Sequence, residues 1–99
     1  MDHVTLINRL VIKVGMIDEF IAAQRRVASS VPEGLLGGRV YRSIDGTSVI
    51  LVSQFKSMSA QQNILQNEEF KEHLKKMALM VESSSPVSYE EAYTYGDFK

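Results

Sequence analysis

The sequence predicts an α+β domain of element order β-α-β-β-α-β, an antiparallel four-stranded sheet with two helices on one face. Three observations predict it. Apolar residues alternate over residues 4–12 and then, from Met16, recur at helical spacing. Asp45-Gly46, a strong two-residue hairpin signal, separates two strand-like runs. A second helical stretch begins after Ser57 and leads into a Tyr-rich last run. Together these describe one split βαβ, ferredoxin-like domain over residues 1–99.

The first strand covers residues 3–13, and Gly15 breaks it. Val4, Leu6, Asn8, Leu10 and Ile12 share one of its faces, because side chains alternate across a strand. Asn8 is the anomaly there, since an amide without partners in an apolar stripe costs about 1–3 kcal/mol. Either nearby backbone or water satisfies it, or it is a polar handle in an apolar pocket. The first helix carries Ile17, Phe20, Ile21, Gln24, Val27, Ala28 and Val31 at helical spacing, with Asp18 and Glu19 suiting its first turn. Pro32 and Gly34 end it.

The second strand is expected over residues 35–44 and the third over 47–55, joined by a type I′ turn at Asp45-Gly46. Ser57 and Ser59 both offer helix caps, and Ser59 with Gln62 fits a capping box. The second helical region extends to about Glu82, with a break near Asn67, and Phe70, Leu74, Met77 and Val81 form its apolar stripe. Ser83-Ser84-Ser85-Pro86 reads as a loop. The last strand then covers residues 87–95, with Tyr89, Tyr93 and Tyr95 on one face.

Composition narrows the function. Hydrophobic residues at 44% and charged residues at 23% are ordinary for a globular domain. A net charge of −1 with scattered Lys and Arg argues against nucleic acid as a partner. No apolar run is long enough to span a membrane. The absence of cysteine removes disulfides, thiolate metal sites and a Cys nucleophile. No basic-then-apolar N-terminal run signals secretion, so the expected location is cytoplasmic. No HxxEH, CxxC, GxGxxG or P-loop pattern supports a metal hydrolase, flavin or nucleotide enzyme.

Both sheet faces carry aliphatics, yet two helices cover only one. If Ile44 pairs with Thr47, then Val40 faces Leu51, Gly38 faces Ser53 and Leu36 faces Phe55. The other face holds Ile7, Val11, Ile50 and Val52, together with Arg9 and Arg39. An exposed patch of that kind marks an association surface, so a homodimer through the open sheet face is expected. Arg9 and Arg39 would pair there with carboxylates such as Glu90 or Glu91.

On the covered face, helix packing should leave a cleft lined by Leu6, Leu10, Leu51, Phe55, Ile64, Phe70 and Leu74. These residues either fill a core or receive a flat apolar or aromatic ligand, with Asn8 as orienting donor. His73 sits on the border of the Phe70/Met77 stripe. It is either a half-exposed surface residue or a general base or axial ligand, its ordinary pKa near 6.5 suiting both roles. His3 belongs to the surface. Met77 and Met80 could form an adaptable pocket wall or simply fill the core.

Several pieces, in order, resemble the antibiotic biosynthesis monooxygenase family of dimeric α+β barrels. They are Ile7-Asn8-Arg9-Leu10, Gly15 through Phe20, Tyr41-Arg42-Ser43, Phe55-Lys56-Ser57, Glu69-Phe70-Lys71 and the Tyr-rich last strand. The resemblance covers essentially the whole chain. It implies a cofactor-independent monooxygenase using O₂ on a small aromatic or quinol-like substrate, with Asn8 and His73 as catalytic candidates and no metal.

IsdG-type heme-degrading relatives look similar around Asn8-Arg9-Leu10 and from Phe55 through Lys71, which makes heme the alternative cofactor. The Trp of that branch falls on Ile64 and its His on Leu74, one residue from His73. In the polyketide branch a Trp at the end of the third strand corresponds to Phe55, and a polar residue one turn earlier corresponds to Leu51. A non-catalytic small-ligand-binding dimer is the further alternative.

Overall fold

The computed structural model describes residues 3–28 and 31–98. Its elements are β1 (Val4–Ile12), α1 (Ile17–Ala28), β2 (Leu35–Arg42), β3 (Ser48–Phe55), α2 (Met58–Leu65), α3 (Glu68–Ala78) and β4 (Val81–Tyr89). The four strands form one antiparallel sheet in the order β2-β3-β1-β4. The first and last strands of the chain are therefore neighbours, as a split βαβ arrangement requires.

α1 places Asp18 and Glu19 in its first turn and Arg25 and Arg26 in its last, each charge at the helix end that favours it. Its apolar side delivers Phe20 to the sheet. There Phe20 joins Leu10, Ile12 and Val49 with Met77 and Met80, and these six form the central core. Phe20 and Val49 are almost wholly shielded from water. The two methionines are thus core residues, although Met77 also reaches the cavity described below.

The hairpin keeps the expected register but not the expected turn. Arg42 opposes Val49, Val40 opposes Leu51 and Gly38 opposes Ser53. The loop closes through Ser43 N–H to Ser48 O at 2.9 Å, and Gly46 N–H bonds Ser43 O at 3.0 Å. Among the described residues no non-glycine has positive φ, so Asp45 cannot supply half of a type I′ turn. Gly46 takes positive φ alone, at +74°. The Asp45 carboxylate instead accepts from the Ser43 hydroxyl at 2.7 Å and the Thr47 hydroxyl at 2.8 Å. Those bonds, with Ser43 the largest cause, hold its pKa below the ordinary 3.8.

At the far end of β2 the register shifts between Leu35 and Gly37, so Leu35 rather than Leu36 opposes Phe55. Gly37 absorbs the extra residue at φ +151°, a conformation that side chains disfavour.

The second helical region divides at the expected place, but its caps differ. Ser57, not Ser59, caps α2 by accepting from Ala60 N–H at 3.1 Å. Asn67 begins a new helix by accepting from Phe70 N–H at 3.2 Å. α3 then stops at Ala78, four residues short of the expected Glu82.

β4 is the largest correction. It occupies Val81–Tyr89, so Ser83-Ser84-Ser85-Pro86 is strand rather than loop, and Tyr93 and Tyr95 lie beyond it. Pairing with β1 outweighs the weak strand propensity of serine, because β1 offers a full row of partners from Val11↔Ser83 to Thr5↔Tyr89. Pro86 is tolerated because β4 lies at the sheet edge. The rings of Tyr93 and Tyr95 instead lean on each other, with centroids 6.2 Å apart.

Candidate functional site

Between the helix-covered face of the sheet and the helices lies a broad, open cavity of about 1390 Å³. That exceeds the roughly 300–1,000 Å³ usual for small-molecule pockets, as expected of an open cleft. Its wall includes Leu6, Asn8 and Leu10 of β1 and Leu51 and Phe55 of β3. Ile64 of α2 and Phe70, His73 and Leu74 of α3 complete the set. All nine positions expected from the sequence therefore meet at one cavity. They do not contribute alike: Phe55 is deeply buried, whereas Leu74 is 46% exposed.

Asn8 sits between Leu51 of β3 and Pro86 of β4 in the sheet. Its Oδ1 accepts a hydrogen bond from the Ser85 backbone N–H at 3.0 Å. A backbone N–H can only donate, so this contact fixes which amide atom faces β4. The Nδ2 group bonds to no protein acceptor among the described residues. The two sequence readings of Asn8 thus merge: half of the amide is satisfied by backbone, and the other half is a free donor on the cavity wall.

His73 is half-buried, its ring centroid 6.3 Å from that of Phe70. Burial, and secondarily the nearby Lys76 charge, pull its pKa below the ordinary 6.5. The imidazole is therefore neutral at neutral pH and able to accept a proton. His3 is exposed.

Sequence reading missed Gln61 and Ser88, which face the same cavity. Gln61 of α2 is buried, and its Nε2 donates to the Ser88 hydroxyl at 3.0 Å. Its position three residues before Ile64 put both on one helix face, a signal present in the sequence. Ser88 gives no such signal, because the strand expected over residues 87–95 starts six residues later than the observed Val81–Tyr89 and hides its pairing with β1.

Within the single chain, Arg39 of the open face meets aromatic partners. Arg39 donates to the Tyr41 hydroxyl at 3.2 Å and lies 5.1 Å from the Phe98 ring centroid. Arg42 pairs with Asp18 and Lys75 with Glu72, and among the described residues of the one chain Arg9 and Arg39 make no ion pair with Glu90 or Glu91. No group of three or more His, Asp or Glu among the described residues could hold a metal ion. Among the described residues no helix is long and apolar enough to cross a membrane.

The sequence profile of the family described as antibiotic biosynthesis monooxygenase matches residues 3–76. Two structures of SnoaB, a cofactor-independent oxygenase from Streptomyces nogalater, superpose with TM-scores of 0.86 and 0.84. Each is 21% identical and covers 95% of this chain and 97% of its own. A conserved protein from Methanosarcina mazei reaches a TM-score of 0.82 at 14% identity, over 92% of this chain and 94% of that one. Rv0793 from Mycobacterium tuberculosis gives 0.80 at 12% identity, over 95% and 99%. At such identities the likeness is one of fold. No curated protein sequence matches the chain.

Proposed function

Because the chain belongs to the antibiotic biosynthesis monooxygenase family, we propose that it oxidises a small aromatic or quinol-like substrate with O₂, without a resident cofactor, in the cleft beside Asn8. The observation that carries this reading is the fixed Asn8 amide. Its Oδ1 is held by Ser85, and a free Nδ2 donor is left in a largely apolar wall. Such a donor suits an oxygen that gains negative charge, such as a phenolate.

The chemistry balances without added reductant. A phenol with a hydrogen on the opposite ring carbon loses its hydroxyl proton, and His73 is the base proposed for that step. The anion passes one electron to O₂, and the resulting radical and superoxide combine to form a C–O bond. The O–O bond then breaks as the ring carbon loses its proton. One oxygen stays as the quinone carbonyl and the other leaves as water. The substrate supplies all four electrons, so the protein has to orient the ring, stabilise the oxyanion and limit water.

The same reading includes a homodimer through the open sheet face. Ile7, Val11, Ile50 and Val52 are only half-buried there, and Val87 is 45% exposed. A second copy would cover them.

The test is O₂ consumption with a panel of phenols and hydroquinones at matched autoxidation rates. Enzyme-dependent uptake is expected, with one quinone formed and no hydrogen peroxide released per O₂. Quinol binding without any uptake would instead establish a non-catalytic binding protein.

A further inference from the structure

Gln61 is a buried amide whose hydrogen-bonding capacity the protein only half uses. It is 6% exposed, on the same wall as Phe55 and Ile64, which are themselves buried at 2% and 7%. Its Nε2 donates to Ser88 Oγ at 3.0 Å, and the same hydroxyl lies 3.3 Å from Oε1. A glutamine amide offers two N–H donors and two acceptor lone pairs. Ser88 can meet one of each at most. Among the described residues no other group bonds to the remaining N–H or lone pair.

The Ser88 hydroxyl is equally adaptable. When it accepts from Nε2 its own proton is free, and when it donates to Oε1 a lone pair is free. The pair can therefore present a donor and an acceptor together, which is the pattern of a ligand hydroxyl group. Asn8 differs, because Ser85 fixes it as a donor only.

The two polar points stand at a defined interval. Asn8 opposes Pro86 and Leu6 opposes Ser88, so Asn8 and Ser88 are diagonal neighbours across the β1–β4 ladder. Diagonal neighbours lie roughly 7–8 Å apart. Leu6, the direct partner of Ser88, and Pro86, the partner of Asn8, flank this diagonal and line the same cavity with apolar surface. This suits a ring pair with an oxygen at each end.

We propose that Gln61, paired with Ser88, is a specificity-determining contact that recognises a second oxygen of the ligand, a hydroxyl at the end of the ring system opposite the oxygen held by Asn8. The inference rests on the cleft being the aromatic-ligand site. A plain helix-to-strand clip would hold α2 against β4 but would not distinguish ligands. Discrimination between ligands is therefore the property to measure.

Calorimetric titration under argon compares β-naphthol with the dihydroxynaphthalene that carries its second hydroxyl at the opposite end of the ring pair. The wild type is expected to bind the diol roughly five- to tenfold tighter, the worth of one added hydrogen bond. Gln61→Met, which keeps length and volume, should bring the two affinities together, and Gln61→Glu should restore part of the difference. Should Gln61→Met fail to fold, Ser88→Ala, at an exposed strand position, carries the same test. A preference for the diol that survives in the variants, or equal affinities in the wild type, overturns the role of Gln61 and leaves the cleft as a ligand site. A wild type that binds neither compound removes the cleft reading itself, and this inference with it.

Discussion

The Ser85 backbone N–H donates to Asn8 Oδ1 at 3.0 Å, so β4 decides which half of the Asn8 amide the cavity receives. The contact joins residues 77 positions apart in the chain, and it converts an ambiguous amide into a directed donor. Asn8→Asp should therefore be instructive. Aspartate keeps an acceptor for Ser85 but loses the donor. Both Asn8→Asp and Asn8→Ala should slow substrate-dependent O₂ uptake by about tenfold or more, toward the roughly 10²–10³-fold loss typical of removing one oxyanion donor. Rates equal to wild type in either folded variant would remove Asn8 from the reaction.

The lowered pKa of His73 gives a signed pH dependence. A base acts when neutral, so the rate should rise with pH along an acid limb centred below 6.5 and be flat above it. Stability follows the same group. In the unfolded chain it takes up a proton near 6.5, while the folded imidazole is still neutral, so stability falls as pH drops below 6.5 and levels off below the folded pKa. Urea midpoints of wild type and His73→Gln should differ in this pH dependence. An acid limb unchanged in His73→Gln would assign it to another group.

Val87 is 45% exposed on the uncovered sheet face, beside its β1 partner Ile7. Val87→Lys should leave the monomer folded while preventing association, because a desolvated unpaired charge is costly at an interface. Light scattering is expected to give a dimer for wild type at micromolar concentration and a monomer for the variant. A monomeric wild type would refute the open-face dimer.

Gly38 has no tolerance for a side chain. A Cβ there would run into the backbone carbonyl of Val52, which cannot rotate aside. Gly38→Ala should destabilise the fold by about 1–3 kcal/mol through overpacking. Denaturant unfolding measures this, and an unchanged midpoint would show that the β2–β3 edge yields.

Heme is the cofactor that the IsdG-type resemblance raises. On the cofactor-free reading, heme titration should show no Soret shift that depends on His73. A shift present in wild type and lost in His73→Ala would favour the heme-dependent chemistry instead.

The periodicities of the sequence were enough to give the β-α-β-β-α-β order, the Asn8 face and the cavity-lining positions. Leu6, Asn8 and Leu10 must share a side of any strand that contains them, and Phe70, His73 and Leu74 must cluster on any helix. Period and spacing are local properties, so the chain displays them directly.

The limits of that reading lay in pairing. Ser83-Ser84-Ser85-Pro86 carries loop-like residues, yet β1 supplies an open row of backbone partners and makes them a strand. A strand over residues 87–95 excludes Ser85, the partner of Asn8, and lacks the β1 pairing that sets Ser88 beside Gln61. The turn departs from type I′ for a related reason, since Asp45 gains more from the Ser43 and Thr47 hydroxyls than from a strained positive φ. The sequence by itself determined that Asn8, His73 and the apolar positions around them share the cleft, though not Gln61 or Ser88. Only the tertiary structure decided which of their polar atoms remain free to meet a ligand, because hydrogen-bond partners distant in the chain are chosen by register rather than by local pattern.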